Sequence, residues 1–513
     1  MKRLYDLFVK TIGIISIMVL IFFTINSLFF TYTINIKEQS IFHYGNFWAL
    51  IVIITLIVLG GYLYRKERIF RLTKKNKKIL MICFLVIYTC LCFLLVAKVK
   101  VQPKADQDVV LDVARKFSEK NYGWMDTYLK IYPNQFGLIL FEYGLEKLPF
   151  VNFSNDYYVF RVINIIFLIL SYFIMAKITE LIQNEKKCNL KVMIGYMLFL
   201  PLTLYILFVY GNIIGFSISM ISFYFLLLYL KKKKNVYIIV SALLSVIAIL
   251  IKNNYLIVFI AEIVILLFNI IKEKKIKNII FVVLFVILYV LSNKAVNYTV
   301  FKITGQKPSS GMPKLSWIEM GMQENPSKEA GWYDNTNYTT FIDSNYDSEY
   351  ISQILKIRIK ERINYLIKNP KETISFLYRK VETQWNEPTF ESLWIVDSAL
   401  TIKGENGTSQ RILDFFYQKD NLSKLYVKYC NVIHFIILFG ALMYFIIEYK
   451  NLNIFKISLS IIILGGLAFH IIWEAKTQYI ITYFVLYIPY AVIGIEKLIN
   501  LIREKREKIK LLS

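Results

Sequence analysis

Residues 213–251 read IIGFSISMISFYFLLLYLKKKKNVYIIVSALLSVIAILI. Two apolar runs flank a block of four lysines, 231–234. Each run is close to the length that crosses the hydrocarbon core of a bilayer, and the lysine block cannot follow it in. The stretch therefore predicts two spanning helices joined by a link that its charge holds on the cytoplasmic side.

Working outward, the same pattern repeats. Candidate spans are 11–33, 47–64, 79–97, 159–176, 192–209, 213–230, 236–251, 255–271, 279–298, 429–448, 457–473 and 480–500. With a cytoplasmic N-terminus, the basic links RKERIFRLTKKNKK (65–78), KKKK (231–234) and KEKKIK (272–277) and the tail REKREKIK (503–510) all fall inside. The short links expected outside, 34–46, 210–212, 252–254 and 474–479, carry one lysine each or none. One helix more or fewer would invert every downstream link, so the charge pattern checks the count. The expected fold is an all-α polytopic membrane protein of about twelve transmembrane helices with both termini cytoplasmic.

Composition agrees: 57% of the 513 residues are hydrophobic and 16% aromatic, with a mean hydropathy of +0.50. The net charge of +25 does not indicate nucleic-acid binding, because the basic residues concentrate in the links, where they set topology and attract anionic lipid. Cys83, Cys90, Cys92, Cys188 and Cys430 have no metal-ligand spacing, and the long polar segments hold no cysteine to build a disulfide framework. The first apolar run is too long for a signal-peptide core and is read as a retained helix.

The chain divides into an N-terminal helical hairpin with its basic loop (1–78), a membrane module (79–298) containing a first outer loop (98–158), an extracytoplasmic region (299–428) and C-terminal helices with a basic tail (429–513). Within 299–428, TGQKPSSGMPKLS and DNTNYTTFIDSNYDSEY read as irregular structure. Ile351, Ile354, Leu355, Ile359, Ile363, Leu366 and Ile367 then recur at helical spacing. Asn369 and Pro370 end that helix, and a second runs from about Glu372 to Trp385. These juxtamembrane helices are expected to pack on one another or to lie on the membrane surface.

The chemistry concentrates in the outer links. Asp106, Asp108 and Asp112 sit close to the bilayer at the start of an amphipathic helix (Val109, Val110, Val113, Ala114, Phe117). Acids in a first helical turn are favoured by the dipole, so capping is the plain alternative to catalysis. YPNQFG (132–137) follows, whose Tyr132, Asn134 and Gln135 can bind sugar hydroxyls or simply start a helix. The link HIIWEAKTQY (470–479) brings His470, Glu474, Lys476 and Tyr479. Lys252, in IKNNY, and Lys476 are either exposed turn lysines or cations that neutralise a phosphate at the outer surface.

These features resemble the GT-C membrane glycosyltransferases, in the branch of protein O-mannosyltransferases and lipid A aminoarabinose transferases (glycosyltransferase family 39-like). That branch carries an Asp-Glu pair in its first large outer loop with an alanine eight positions after the aspartate, as Asp106 and Ala114 are spaced here. YPNQFG and the 470–479 link are similar to its bacterial members. Two departures stand out: Gln107 occupies the glutamate position, and about two extra helices precede the loop.

The resemblance implies a GT-C-type bundle and an inverting sugar transfer from a polyprenyl-phosphate donor. Asp106, with Asp108 as its rival, would be the base that deprotonates the acceptor hydroxyl. Lys252, Lys476 and His470 would meet the donor phosphate, and Tyr132, Asn134, Gln135, Glu474 and Tyr479 would meet substrate hydroxyls. No cofactor is required, and a divalent cation shared by Asp106 and Asp108 is left open. The implied acceptor is a cell-wall polymer, a glycolipid or a protein, with the active site extracytoplasmic. The competing classes are a transporter or flippase for lipid-linked saccharides and a polysaccharide polymerase or ligase. Acids inside the spans are scarce, Glu262 being nearly the only one, which argues against a transporter.

Overall fold

In a computed structural model the described residues are all except 1, 36–37, 68–73, 104, 123–127, 153–154, 185–188, 327, 395–408 and 513. The middle of the basic link 65–78 and Cys188 therefore lie outside the described residues. Among those described, eight helices are long and apolar enough to cross a membrane: Arg3–Phe29, Lys78–Lys98, Asp156–Gln183, Asn212–Lys232, Asn253–Glu273, Ile276–Thr304, Gln410–Asn451 and Ile454–Ile472. Two bent pairs raise the number to ten: Leu190–Leu198 with Leu200–Leu207, and Thr477–Phe484 with Tyr487–Lys505. Trp48–Leu59 and Asn235–Ile251 are apolar but shorter. The chain is a multi-pass membrane protein with eight to ten candidate spans among the described residues, where the sequence leads one to expect about twelve.

Both bends have a local cause. The first pair turns by 71° where Pro201 enters the second helix, since proline there removes an N–H and clashes with the preceding turn. The second turns by 46°. Pro489 has no N–H to give the carbonyl of Val485, four residues back, which accepts from the Tyr196 hydroxyl at 3.0 Å and from the Ile488 N–H at 3.2 Å.

Two polar ends follow from the helices. Asn212–Lys232 runs for 21 residues, about 30 Å, from the loop at Tyr210 to the lysine link. At the lysine end Lys233 pairs with Glu273, Lys191 with Glu496 at 2.6 Å, and Glu448 with both Lys456 and Lys497. At the other end the 98–158 and 299–428 segments lie on each other, with Met312 N–H donating to Ile131 O at 3.0 Å.

One element departs from the all-α expectation. Phe30–Ile34 and Ser40–Tyr44 form an antiparallel hairpin where 30–33 read as helix and 34–46 as a plain link. FTYTI and SIFHY are rich in β-branched and aromatic residues, and Phe30 stacks across the strands on Phe42 at 5.3 Å. The hairpin is tied down by Asn386, which accepts from Tyr32 N–H at 3.0 Å and donates to Phe30 O at 3.0 Å.

The 299–428 region contains the two anticipated helices, at Ser348–Lys368 and Pro370–Trp385. Asp347 caps the first by accepting from Glu349 and Tyr350 N–H. Ile351 and Leu355 join a small core with Ile131, Met312 and Phe341, while Ile363 and Ile367 remain exposed. Past Trp385 the region stops resembling a separate outer domain. Residues 382–394 are buried throughout, and Trp385, Phe390 and Leu393 pack into the main membrane core.

Candidate active site

Asp106 opens the helix Asp106–Ser118, and Ala105 before it holds a left-handed backbone at φ 53°, ψ −131°. Such a conformation is strained for a non-glycine residue and persists only when its surroundings hold it. The helix buries Gln107, Val110, Leu111, Val113, Ala114 and Phe117; Val110, Val113, Ala114 and Phe117 are the expected apolar face, Val109 is only half-buried, and Gln107 and Leu111 join it. Gln107 Oε1 accepts the Val209 N–H at 2.8 Å, tying this helix to the next loop. Its amide does so without placing a buried charge beside Asp106.

The three aspartates separate in role. Asp106 is exposed and accepts from the Tyr210 hydroxyl at 3.1 Å. Asp108 instead acts on Arg115, which pairs with Asp156 through two contacts of 2.5 and 2.9 Å. Asp112 pairs with Lys116 one turn on, at 2.6 Å, on the solvated face. Residues two apart on a helix point to different sides, so Asp106 and Asp108 do not make a chelating pair. Among the described residues no three acid, histidine or cysteine side chains converge as metal ligands. The donor set does not fit the divalent ion left open above.

Tyr210 is the hub that the sequence reading missed. Its hydroxyl also accepts from Gln135 Nε2, and Lys252 Nζ lies 3.6 Å from its ring centroid and 3.4 Å from its carbonyl oxygen. Burial and the neighbouring Asp106 push the Tyr210 phenol well up, so it stays a donor. Burial lowers Lys252 to about 7, against the attraction of Asp106 and with the repulsion of Lys476. Two glycines permit this arrangement. A Cβ on Gly137 would lie 2.0 Å from Leu250 O, and Gly211 takes φ +73° with its Cβ position 3.0 Å from Ile251 O. The helices bearing Gln135 and Lys252 can thus touch backbone to backbone on either side of Tyr210.

Aromatic rings complete the surroundings of Asp106. The Tyr128 hydroxyl is buried beside Asp106 and Tyr210, and its ring lies 5.0 Å from that of Tyr132. Tyr132 in turn meets Tyr333 and Trp317, the latter at 6.3 Å. Asn134 is exposed on the turn Pro133–Gln135, and no hydrogen bond joins it to the cluster among the described residues.

The 470–479 link arrives from the far end of the chain. Glu474 and Tyr479 both lie in the field of Asp106. Burial raises Glu474 to about 7, against the pull of Lys476 and Lys380. Two expected phosphate ligands are placed differently. His470 is 1% exposed, bonds the Glu474 carbonyl through Nδ1 at 3.2 Å and stacks on Tyr479 with centroids 5.7 Å apart, so it supports the link from beneath. Lys476 is already neutralised: it pairs with Glu38 of the N-terminal hairpin at 2.7 Å and lies over Trp394 at 4.3 Å. Glu38 also holds Lys328 at 2.8 Å. Against burial, the two lysines keep its carboxyl at about 2. The N-terminal hairpin thus delivers a carboxylate to the 470–479 link.

Lys380 clamps the link from the other side. Fully buried and lowered to about 7 by burial against the pull of Glu474, its ammonium donates to the carbonyls of Gly321, Ile471 and Trp473. Ala475 N–H completes the seam on Gly331 O at 2.8 Å.

Of the residues singled out from sequence, Asp106, Tyr132, Gln135, Lys252, Glu474 and Tyr479 come together. Asp108, Asn134, His470 and Lys476 do not present themselves to the same space. Tyr128, Tyr210, Tyr333, Glu38 and Lys380 were not anticipated. Only Tyr210 carried a signal, a tyrosine before a glycine in a short outer link. No curated protein matches the chain. A family model described as "conserved hypothetical integral membrane protein" matches residues 4–498, and the chain belongs to that family.

Proposed function

We propose that this protein is an inverting glycosyltransferase that moves a sugar from a polyprenyl-phosphate donor to an acceptor hydroxyl at the outer face of the cell membrane. The supporting observation is the Asp106–Tyr210–Lys252 arrangement: a carboxylate bonded to a phenol at 3.1 Å and an ammonium 3.6 Å from the same ring, at the end of a helical bundle opposite the lysine links. On this reading the spans, the bent pairs and the two shorter apolar helices all cross, giving about twelve crossings in a GT-C-type bundle. The positive-inside rule then puts both termini in the cytoplasm and the site outside.

In the proposed reaction Tyr210 fixes one oxygen of Asp106, and the carboxylate removes the proton of the acceptor hydroxyl as that oxygen attacks the anomeric carbon. The new carbon–oxygen bond forms on the face opposite the phosphate, and the bond from the anomeric carbon to the phosphate oxygen breaks. Its electron pair leaves with the lipid phosphate and the proton ends on Asp106. Lys252 compensates the charge that develops on the leaving phosphate, so no general acid is needed. Gln135, Tyr132, Glu474 and Tyr479 supply hydrogen bonds for sugar hydroxyls. The acceptor, on this proposal, is a wall polymer, a glycolipid or a protein.

Asp106→Asn tests the assignment. Transfer should fall by about 10²- to 10⁴-fold with membrane insertion and thermal unfolding unchanged. Near-wild-type transfer would remove Asp106 as the base, and a loss of saccharide uptake instead would indicate a transporter. Mass spectrometry of lipid-linked sugars in cells lacking the gene should find one polyprenyl-phosphate sugar accumulating, which names the donor.

A further inference from the structure

The helices Ser348–Lys368 and Pro370–Trp385 meet in an elbow at Asn369, and one face of that elbow is left uncovered by the described residues. A spacing of three and four residues marks one side of a helix. From Lys356 it runs through Lys360, Ile363 and Ile367, all exposed. Past the break it takes Lys371, Ile374 and Tyr378, again exposed. This is not the side that folds the region, since Ile351 and Leu355 occupy the small core and Phe376 is buried in the second helix. Ile367 and Ile374 keep 72% and 70% of their surface exposed, one on each arm of the bend.

From Lys356 onward the charges on this face have one sign. Lys356, Lys360, Lys368 and Lys371 are exposed, and among the described residues no ion pair, side-chain hydrogen bond or ring contact engages them. The nearby arginines are already committed, Arg362 and Arg379 both pairing with Glu324. Of the acids, Glu361 falls on another side of the helix, and Glu372 accepts the Tyr365 hydroxyl. Isoleucines interleaved with lysines suit the boundary of an acidic bilayer, where the apolar branches enter the acyl region and the lysine stems reach the phosphates. What the face adjoins points to the same occupant. Tyr378 meets Phe22 edge to face, with ring centroids 6.0 Å apart. Phe22 is 38% exposed within the span Arg3–Phe29, so its outer surface meets lipid. The face therefore runs on without a break into the lipid-facing surface of the bundle, at the end opposite the lysine links.

We infer that this elbow lies on the adjoining membrane surface and binds acidic lipid headgroups, anchoring the helix whose Lys380 clamps the 470–479 link. The inference is independent of the chemistry proposed for Asp106, and its test reads lipid contact and not sugar transfer. Full-length protein with its five cysteines replaced by serine, and with thermal unfolding matching the parent, receives a single spin label through Ile367→Cys, Ile374→Cys or Glu361→Cys. Each is placed in nanodiscs of phosphatidylcholine alone or mixed with phosphatidylglycerol. Power-saturation electron paramagnetic resonance then compares collisions with oxygen, which partitions into lipid, and with a water-soluble nickel chelate. In acidic nanodiscs the labels at positions 367 and 374 should favour oxygen and the label at 361 nickel. Each lysine is worth about fivefold in association with an acidic surface. Replacing all four (Lys356→Gln, Lys360→Gln, Lys368→Gln, Lys371→Gln) should therefore shift the elbow towards water by about 10²- to 10³-fold, and high salt should act in the same direction. Labels at 367 and 374 that favour nickel in acidic nanodiscs, equal accessibility in neutral and acidic nanodiscs, or no change on removing the lysines would overturn the inference. Exclusion of both reagents from 367 and 374 would also overturn it, because protein from a second copy would then cover the face.

Discussion

The sharpest consequence concerns Lys252. Its ammonium is lowered to about 7 by burial, so at pH 8 only about a tenth of free protein would carry the charge, and tenfold less per further unit. Apparent affinity scales with the competent fraction, so the donor kcat/KM should fall about tenfold per pH unit above neutrality. Lys252→Arg keeps a charge at every accessible pH and retains a cation over the Tyr210 ring, so it should flatten that limb. Lys252→Met should raise the donor KM about ten- to hundredfold, the worth of a charge-assisted hydrogen bond, and leave the acceptor KM unchanged. Glu474, raised to about 7, would add a negative charge over the same range, so Glu474→Gln is the necessary companion. The assay is initial transfer rate in nanodiscs across the neutral-to-alkaline range with extracted polyprenyl-phosphate sugar. An alkaline limb that survives in Lys252→Arg/Glu474→Gln, or is missing in wild type, would refute the phosphate-binding role. The same shift predicts that stability rises with pH between about 7 and 10.5, because the unfolded chain holds the Lys252 proton there and the folded chain does not.

Further outcomes follow from the packing. Gly137→Ala, with its Cβ 2.0 Å from Leu250 O, should cost about 1–3 kcal/mol of stability by overpacking and impair donor use. Gly144→Ala on the same helix, open to space, should be neutral or slightly stabilising; equal effects in thermal unfolding would reject the close-approach argument. Glu38, folded near 2 against 4.5, stabilises the folded chain above its unfolded value, and this is lost as pH falls from about 4.5 towards 2. Glu38→Gln should remove on the order of 3 kcal/mol at neutral pH and flatten the acid limb of a thermal-shift profile; parallel limbs would show that the pair is not coupled to folding. Lys476→Met should destabilise the protein and disturb donor and acceptor kinetics equally, unlike Lys252, because it breaks the Glu38 pair.

Much of this was legible in the chain itself. Runs of apolar residues bounded by lysines determine a polytopic helical membrane protein, because a bilayer admits backbone only as closed hydrogen-bonded structure of a given length. The amphipathic face after Asp106, the Asn369–Pro370 break and the residue types of the outer links were equally local signals. The aromatic hairpin at 30–44 was not, since strand-forming residues next to a span are indistinguishable from the end of that span by hydropathy. Only tertiary structure separated the surroundings of Asp106 and Asp108, by bringing Tyr210 to one and Arg115 to the other, across more than a hundred residues in the first case. It also turned Lys476 from a free cation into the partner of Glu38, 438 residues away in sequence, and buried His470 under Tyr479. Charge, burial and partner are properties of where segments meet, and a sequence states which groups exist without stating which of them neutralise each other.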